Sequence, residues 1–287
     1  VEGNGRLAVE PEKTSAGNAA AQTELYPNED EPMPEQLPIA LQMYTVREET
    51  VRDFAHTVAD VAKIGYAGVE LAGFGSAGTA SVAKQCLDEA GLIVVGVHFG
   101  LDDLEHDINK VIEDSQTLGN EYVIVPAIGG YRRASLAAYR QVAHVFNDLG
   151  ARLRDAGLVL AYHNHDFEFE KFGGATYGYD ALFEVADPEL VKIEMDTFWV
   201  KRAGEDPAAY MRKYAGRVPL VHLKDMTPEG GFAEVGEGTM DFQAIFDAAK
   251  IAGTQFYIVE QDRCDNHAPL ESVRISFENL KKMGMVS

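Results

Sequence analysis

Four stretches of the chain end in side chains that ligate metals or move protons. Leu158 to Phe169 reads Leu-Val-Leu-Ala-Tyr-His-Asn-His-Asp-Phe-Glu-Phe, an apolar run that breaks into His163, His165 and Glu168. Val191-Lys-Ile-Glu-Met-Asp196, Val218-Pro-Leu-Val-His222 and Phe256-Tyr-Ile-Val-Glu260 repeat the design. Such runs suit parallel strands that are buried on both faces and deliver chemistry from their carboxyl ends. Two imidazoles and two carboxylates without a thiolate suit a divalent ion (Mn, Zn, Co, Fe or Mg) rather than calcium. His163, Asp196, His222 and Glu260 are therefore the expected ligands.

Strand alternation refines this choice. Side chains two residues apart share a face, so His163 and His165 lie together while Asn164 points away. His165 is thus a second ligand or an acid–base group. Asp196 ends its strand and is taken as the ligand, whereas Glu194 sits deeper. A carboxylate buried there needs a partner, and Lys192, on the same parity, is the expected one.

The elements that must position these residues alternate with short joints from Leu37 onward. Strands are expected at Ile39–Tyr44, Ala67–Leu71, Leu92–Phe99, Tyr122–Pro126, Leu158–His163, Val191–Asp196, Val218–His222 and Phe256–Glu260. Helices are expected at Glu49–Ile64, Ser81–Ala90, Asp103–Leu118, Ser135–Ala156, Gly178–Ala186, Asp206–Tyr214, Phe242–Ala252 and Leu270–Met283, several closed by a glycine. Eight strand–helix units in one chain predict a single α/β domain over 37–287, a closed (β/α)8 barrel with its site at the strand C-termini. A doubly wound open sheet is disfavoured, because Met43-Tyr44-Thr45-Val46 lacks the glycine-rich turn such sheets place after their first strand. Tyr44, Glu70, His98 and Trp199 also fall at strand ends and are expected to line the pocket, and Glu168, just past the fifth strand, is expected to bind substrate or serve as an alternative base. The glycine-rich stretch from Gly230 to Gly238 is long for a joint and is expected to lie over the site, with Glu237 available to hold a substrate hydroxyl or a basic group.

Composition narrows the ligand. A formal charge of −21 argues against nucleic acid and anionic lipid surfaces, leaving a small neutral or metal-chelated molecule. The 46% apolar content is ample for a core, but no apolar run is long enough to span a bilayer. Cys86 and Cys264 provide neither a disulfide framework nor a thiolate site. Residues 1–36, rich in Ala, Gly, Asn, Glu and Pro, read as a flexible tether. That leans towards an extracytoplasmic location, exported or lipid-anchored, over a cytoplasmic one.

The sequence resembles the xylose-isomerase-like TIM-barrel superfamily, the sugar phosphate isomerase/epimerase group, over about Ile39 to Met283. The marks are Gly-Tyr-Ala-Gly-Val-Glu70-Leu, Ala-Tyr-His163-Asn-His165-Asp-Phe-Glu168-Phe, Asp196-Thr-Phe-Trp199, Val-His222-Leu-Lys224-Asp225 and Val-Gly-Glu237-Gly-Thr-Met-Asp241-Phe, with Val-Glu260 after them. The resemblance implies a metal held by Glu, Asp, His and Glu on strands five to eight. Asp196, His222 and Glu260 match, and His163 stands in place of the strand-five Glu. It also implies a carbohydrate or cyclitol substrate and allows a homo-oligomer. The expected reaction is isomerisation or epimerisation. Glu260 or His165 takes the proton next to a carbonyl, and Lys224 neutralises an oxyanion or anionic group. Dehydration is the alternative outcome, and a non-catalytic sugar-binding barrel is the alternative class. Abasic-site endonucleases share the barrel, but the acidity of this chain sets them aside.

Overall fold

The computed structural model describes residues 36–285; residues 1–35 of the expected tether lie outside them. Eight parallel strands close into a barrel: β1 Ile39–Gln42, β2 Gly68–Leu71, β3 Ile93–His98, β4 Tyr122–Val125, β5 Val159–His163, β6 Val191–Asp196, β7 Leu220–Leu223 and β8 Phe256–Val259. Each strand pairs with its neighbours in sequence, and β8 closes on β1 through Ala40 opposite Ile258. Nearly every strand residue is buried, as expected where helices cover one face and the barrel interior the other. The outer ring consists of α1 Phe54–Ile64, α2 Ala80–Ala90, α3 Leu101–Leu118, α4 Leu136–Asp155, α5 Gly178–Val185, α6 Pro207–Lys213, α7 Phe242–Ala252 and α8 Pro269–Lys282. Among the described residues no helix is long and apolar enough to cross a membrane.

Local chemistry sets the boundaries. The helix expected over Glu49–Ile64 is two helices, because Asp53 adopts an extended conformation and its side chain accepts the His56 N–H to start α1. Thr79, Ser135, Asp206 and Asp241 cap α2, α4, α6 and α7 in the same way. A short helix, Thr197–Arg202, follows β6 directly and is capped by Asp196 itself.

Register decides which strand-end residues meet. Asp196 lies opposite His222, Glu194 beside His163, and Gln42 beside Glu70. Between Val69 and Glu70 the pairing with β3 slips by a residue, setting Glu70 against Gly96. A Cβ at position 96 would meet Ile124 at 2.3 Å and the Glu70 carboxylate at 3.3 Å, so glycine makes room there. Two cross-strand bonds fix the next ends: Asn164 donates to the Asp196 carbonyl and accepts its N–H, and Thr197 donates to the His222 carbonyl.

The stretch after β7 is a fixed structure rather than a loop over the site. Asp225–Met226 pairs with Phe232–Ala233, and the buried Asp225 carboxylate accepts the N–H groups of Met226, Gly236, Gly238 and Met240 at 2.8–3.0 Å. Four backbone donors on one buried charge make this the anchor of the segment. Asp225→Ala is expected to destabilise the fold by about 3 kcal/mol in urea unfolding, since it strands those donors. Glu237→Ala, on the exposed tip, should change stability by less than about 0.5 kcal/mol.

Candidate active site

At the C-terminal mouth of the barrel lies a cavity of about 350 Å³, lined by Tyr44, His98, His163, His165, Lys224, Glu260 and Asp262 together with Ala72, Pro126 and Ala127. The expected ligands converge beside it. One donor atom from each of His163, Asp196, His222 and Glu260 lies within 4.8 Å of the other three. His222 Nδ1 is 2.8 Å from Glu260 Oε2, and His163 Nε2 is 3.7 Å from Asp196 Oδ2. Asp196 Oδ1 is spent on the Trp199 N–H, which leaves its buried Oδ2 to face a cation.

A cation of the protein's own reaches into this set. Lys224 Nζ lies 2.8 Å from Asp196 Oδ2, 2.7 Å from Glu260 Oε2 and 2.8 Å from Asp262 Oδ2. Lys224 is itself buried, and burial alone would lower its pKa. The Asp196 and Glu260 carboxylates more than offset this and hold it well above the ordinary value, so it stays an ammonium. Burial pushes Asp196 upward against the pull of Lys224. For Glu260 the opposing charges of Lys224 and His222 outweigh burial, and its pKa falls. The donor set fits a divalent ion in number, type and spread. Lys224 occupies part of that space and is also paired with Asp262, whose side chain is partly exposed.

Beneath this layer lies a second one. Glu194 does not pair with Lys192. Its Oε2 is 2.9 Å from His163 Nδ1, 3.1 Å from His98 Nε2 and 3.3 Å from His222 Nε2. Parity alone favoured Lys192, but imidazoles from the two neighbouring strands and from β3 reach the same depth of the barrel. Glu70, expected to line the pocket, is fully buried in this layer, 2.8 Å from His98 Nε2 and 2.9 Å from His222 Nε2. Gln42, which the sequence did not single out, accepts the Tyr44 N–H and donates to Glu70. Burial would depress His98, yet Glu70 and Glu194 lift it to about 10.

Other expected residues are placed elsewhere. Glu168 is buried away from the cavity, accepting the Tyr162 hydroxyl and, at 2.8 Å, the His165 N–H; it braces the turn after β5. Trp199 does not line the cavity: its ring packs against Phe198 and Phe232, 5.3 Å from His165. Glu237 is exposed and groups with Glu234 and His267 outside the mouth. Tyr44 and His98 do line it. His165 lines it too. Burial and then the nearby Lys224 charge lower its pKa to about 4, so it is neutral at pH 7, and its Nδ1 has no partner among the described residues.

A family profile described as the xylose isomerase-like TIM barrel matches residues 58–283, most of the chain. The chain belongs to this family. Within the family, it is 24% identical over 231 residues to an inosose dehydratase of Clostridium botulinum, covering 67% of this chain and 76% of that one. The barrel superposes on a sugar phosphate isomerase/epimerase from Parabacteroides distasonis with a TM-score of 0.78 at 24% identity, over 91% of this chain and all of that one. It also superposes on the 3-keto-D-glucoside 4-epimerase of E. coli, with a TM-score of 0.66 at 19% identity, over 86% of this chain and all of that one. At these identities the structural matches report the shared barrel.

Burial raises the Glu168 pKa to about 7, against 4.5 for an ordinary carboxyl, despite the opposing bond from Tyr162. Between those values the folded protein keeps a proton that the unfolded chain has released, so Glu168 costs stability as pH rises through that window. Replacing it isolates the effect. Relative to the wild type, Glu168→Gln should lose a stability decline of about 3 kcal/mol between about pH 4.5 and pH 7, measured by urea unfolding across that range.

Proposed function

We propose that the protein is a divalent-metal-dependent enzyme that abstracts the proton next to the carbonyl of a keto-sugar or cyclitol, and that it acts as an isomerase or epimerase. The observation that carries this reading is the company around one cavity. A neutral imidazole, His165, and a fixed ammonium, Lys224, face the same space of about 350 Å³ beside a two-imidazole, two-carboxylate donor set. That volume suits a single sugar or inositol ring. The names of the relatives, an inosose dehydratase and a 3-keto-glucoside epimerase among them, support a polyhydroxy ketone as the substrate class.

A metal held by His163, Asp196, His222 and Glu260 would polarise a carbonyl and acidify its neighbouring C–H. His165 takes that proton: it carries none at neutral pH and lines the cavity. The C–H electron pair moves toward the carbonyl carbon and negative charge gathers on the carbonyl oxygen, where Lys224 compensates it at no cost of reorganisation. Glu260, held low by Lys224 and His222, is the weaker base of the two and serves as ligand and counter-charge. Tyr44 and His98 border the same space and hold the ring's hydroxyls.

Returning the proton to another carbon or to the other face gives isomerisation or epimerisation. Expelling the hydroxyl one carbon further on, as water, gives dehydration. One observation favours this second outcome. With His163 in place of a strand-five Glu, the site has no matched pair of carboxylates on opposite faces of the substrate, and the botulinum relative is named a dehydratase.

Metal-loaded protein incubated with keto-sugars and keto-inositols in D₂O is expected to place deuterium next to the carbonyl, and product analysis separates rearrangement from loss of water. His165→Gln should slow exchange by about 10²–10⁴-fold. Absence of exchange across the panel, or full exchange in His165→Gln, would overturn the assignment.

A further inference from the structure

The buried layer beneath the mouth is more than a charge-compensated cluster. Glu70 Oε1, His98 Nε2, Glu194 Oε2 and His222 Nε2 form a closed ring of donor atoms, with successive separations of 2.8, 3.1, 3.3 and 2.9 Å. Each imidazole nitrogen faces two carboxylate oxygens but can offer only one hydrogen. Two protons therefore cannot satisfy four edges. Ligands about 2.1 Å from a common ion stand about 3.0 Å apart at right angles and about 3.4 Å apart in a tetrahedron, and the separations here run from 2.8 to 3.3 Å. Both carboxylates also keep a second oxygen, Glu70 Oε2 and Glu194 Oε1, that is buried without any hydrogen bond. Gln42 orients Glu70, as an outer partner of a ligand does: its own oxygen is committed to the Tyr44 N–H, so its amide group donates to the carboxylate.

We propose that Glu70, His98, Glu194 and His222 form a second cation site, one layer beneath the mouth, that takes a divalent ion of the zinc, cobalt or manganese class independently of Asp196 and Glu260. The two layers share His163 and His222, each of which turns one ring nitrogen up and one down. A neutral imidazole has a single lone pair. An ion held below therefore takes that lone pair and leaves His222 Nδ1–H to donate to Glu260, while His163, Asp196 and Glu260 remain to hold an ion at the mouth. His98 supplies the route in, since it lines the cavity and its side chain is 10% exposed while the other three donors are sealed.

The test is titration of chelator-treated protein with Co²⁺, followed by visible absorption and calorimetry. Circular dichroism checks that each variant is folded. Binding is expected to survive Asp196→Asn and Glu260→Gln within about threefold, and to weaken at least about 100-fold in His98→Ala and Glu194→Gln. Should Glu194→Gln fail to fold, anomalous scattering from Co²⁺-soaked wild-type crystals locates the ion directly, with a peak among Glu70, His98, Glu194 and His222 expected. Loss of binding in Asp196→Asn with none in His98→Ala would overturn the proposal. So would loss in both, which marks one ion at the mouth felt through shared imidazoles, or no binding at all. Deuterium exchange into substrate reports on the proposed reaction separately, so a mouth-only ion would sink this site and leave that reading standing.

Discussion

Everything at the barrel mouth follows from burying Glu70, Glu194, Asp196 and Glu260 within a few ångströms of one another. Taking a carboxylate out of water costs several kcal/mol unless a cation or a hydrogen-bond donor replaces the lost solvent. The chain supplies those partners from four different strand ends: imidazoles on β3, β5 and β7, the Gln42 amide on β1 and the Lys224 ammonium just past β7. Remove the closed barrel and these groups have no reason to meet. Conversely, a barrel core this polar at one end holds together only because each charge has a counterpart at contact distance.

The scaffold's task is therefore precision rather than strength. The Asn164 amide and the Thr197 hydroxyl tie the ends of β5, β6 and β7 together, fixing Asp196 relative to His222 independently of any charge. Asp225 does the same for the segment that follows Lys224. On such a framework a shift of one strand by a single residue would turn the ligands into the helix layer and bring apolar side chains to the mouth. Glu70 shows how finely the register is adjusted: the slip against β3 and the missing side chain at Gly96 are both needed for its carboxylate to enter the interior.

Much of this was legible in the sequence. Hydrophobic runs ending in His163, Asp196, His222 and Glu260 marked both the strands and the side chains that converge, because strand period and barrel closure leave few other arrangements. What could not be read were relations across strands. Glu194 pairing with His163, and Glu70 with His98 and His222, depend on stagger around the barrel, which no single segment encodes. Glu168 and Trp199 misled for a related reason: beyond a strand end the chain turns, parity no longer fixes direction, and both side chains fold back into packing. Gln42 carried no signal at all, since a lone amide becomes informative only once its neighbours are known.

A histidine stands at position 163, where the family resemblance implies a glutamate. A carboxylate at that position would add a further negative charge to a layer already crowded with them, and would look only upward to the mouth. An imidazole instead faces both layers, with Nδ1 2.9 Å from Glu194 and Nε2 3.7 Å from Asp196. Burial and the surrounding positive groups keep His163 neutral, so it adds no charge of its own. His163 thus adds no negative charge at the mouth and couples the upper carboxylates to the lower. In the proposed reaction, a site built this way would hold charge on a substrate oxygen rather than exchange protons between two matched acids, and the outcome would be decided by what the substrate can expel.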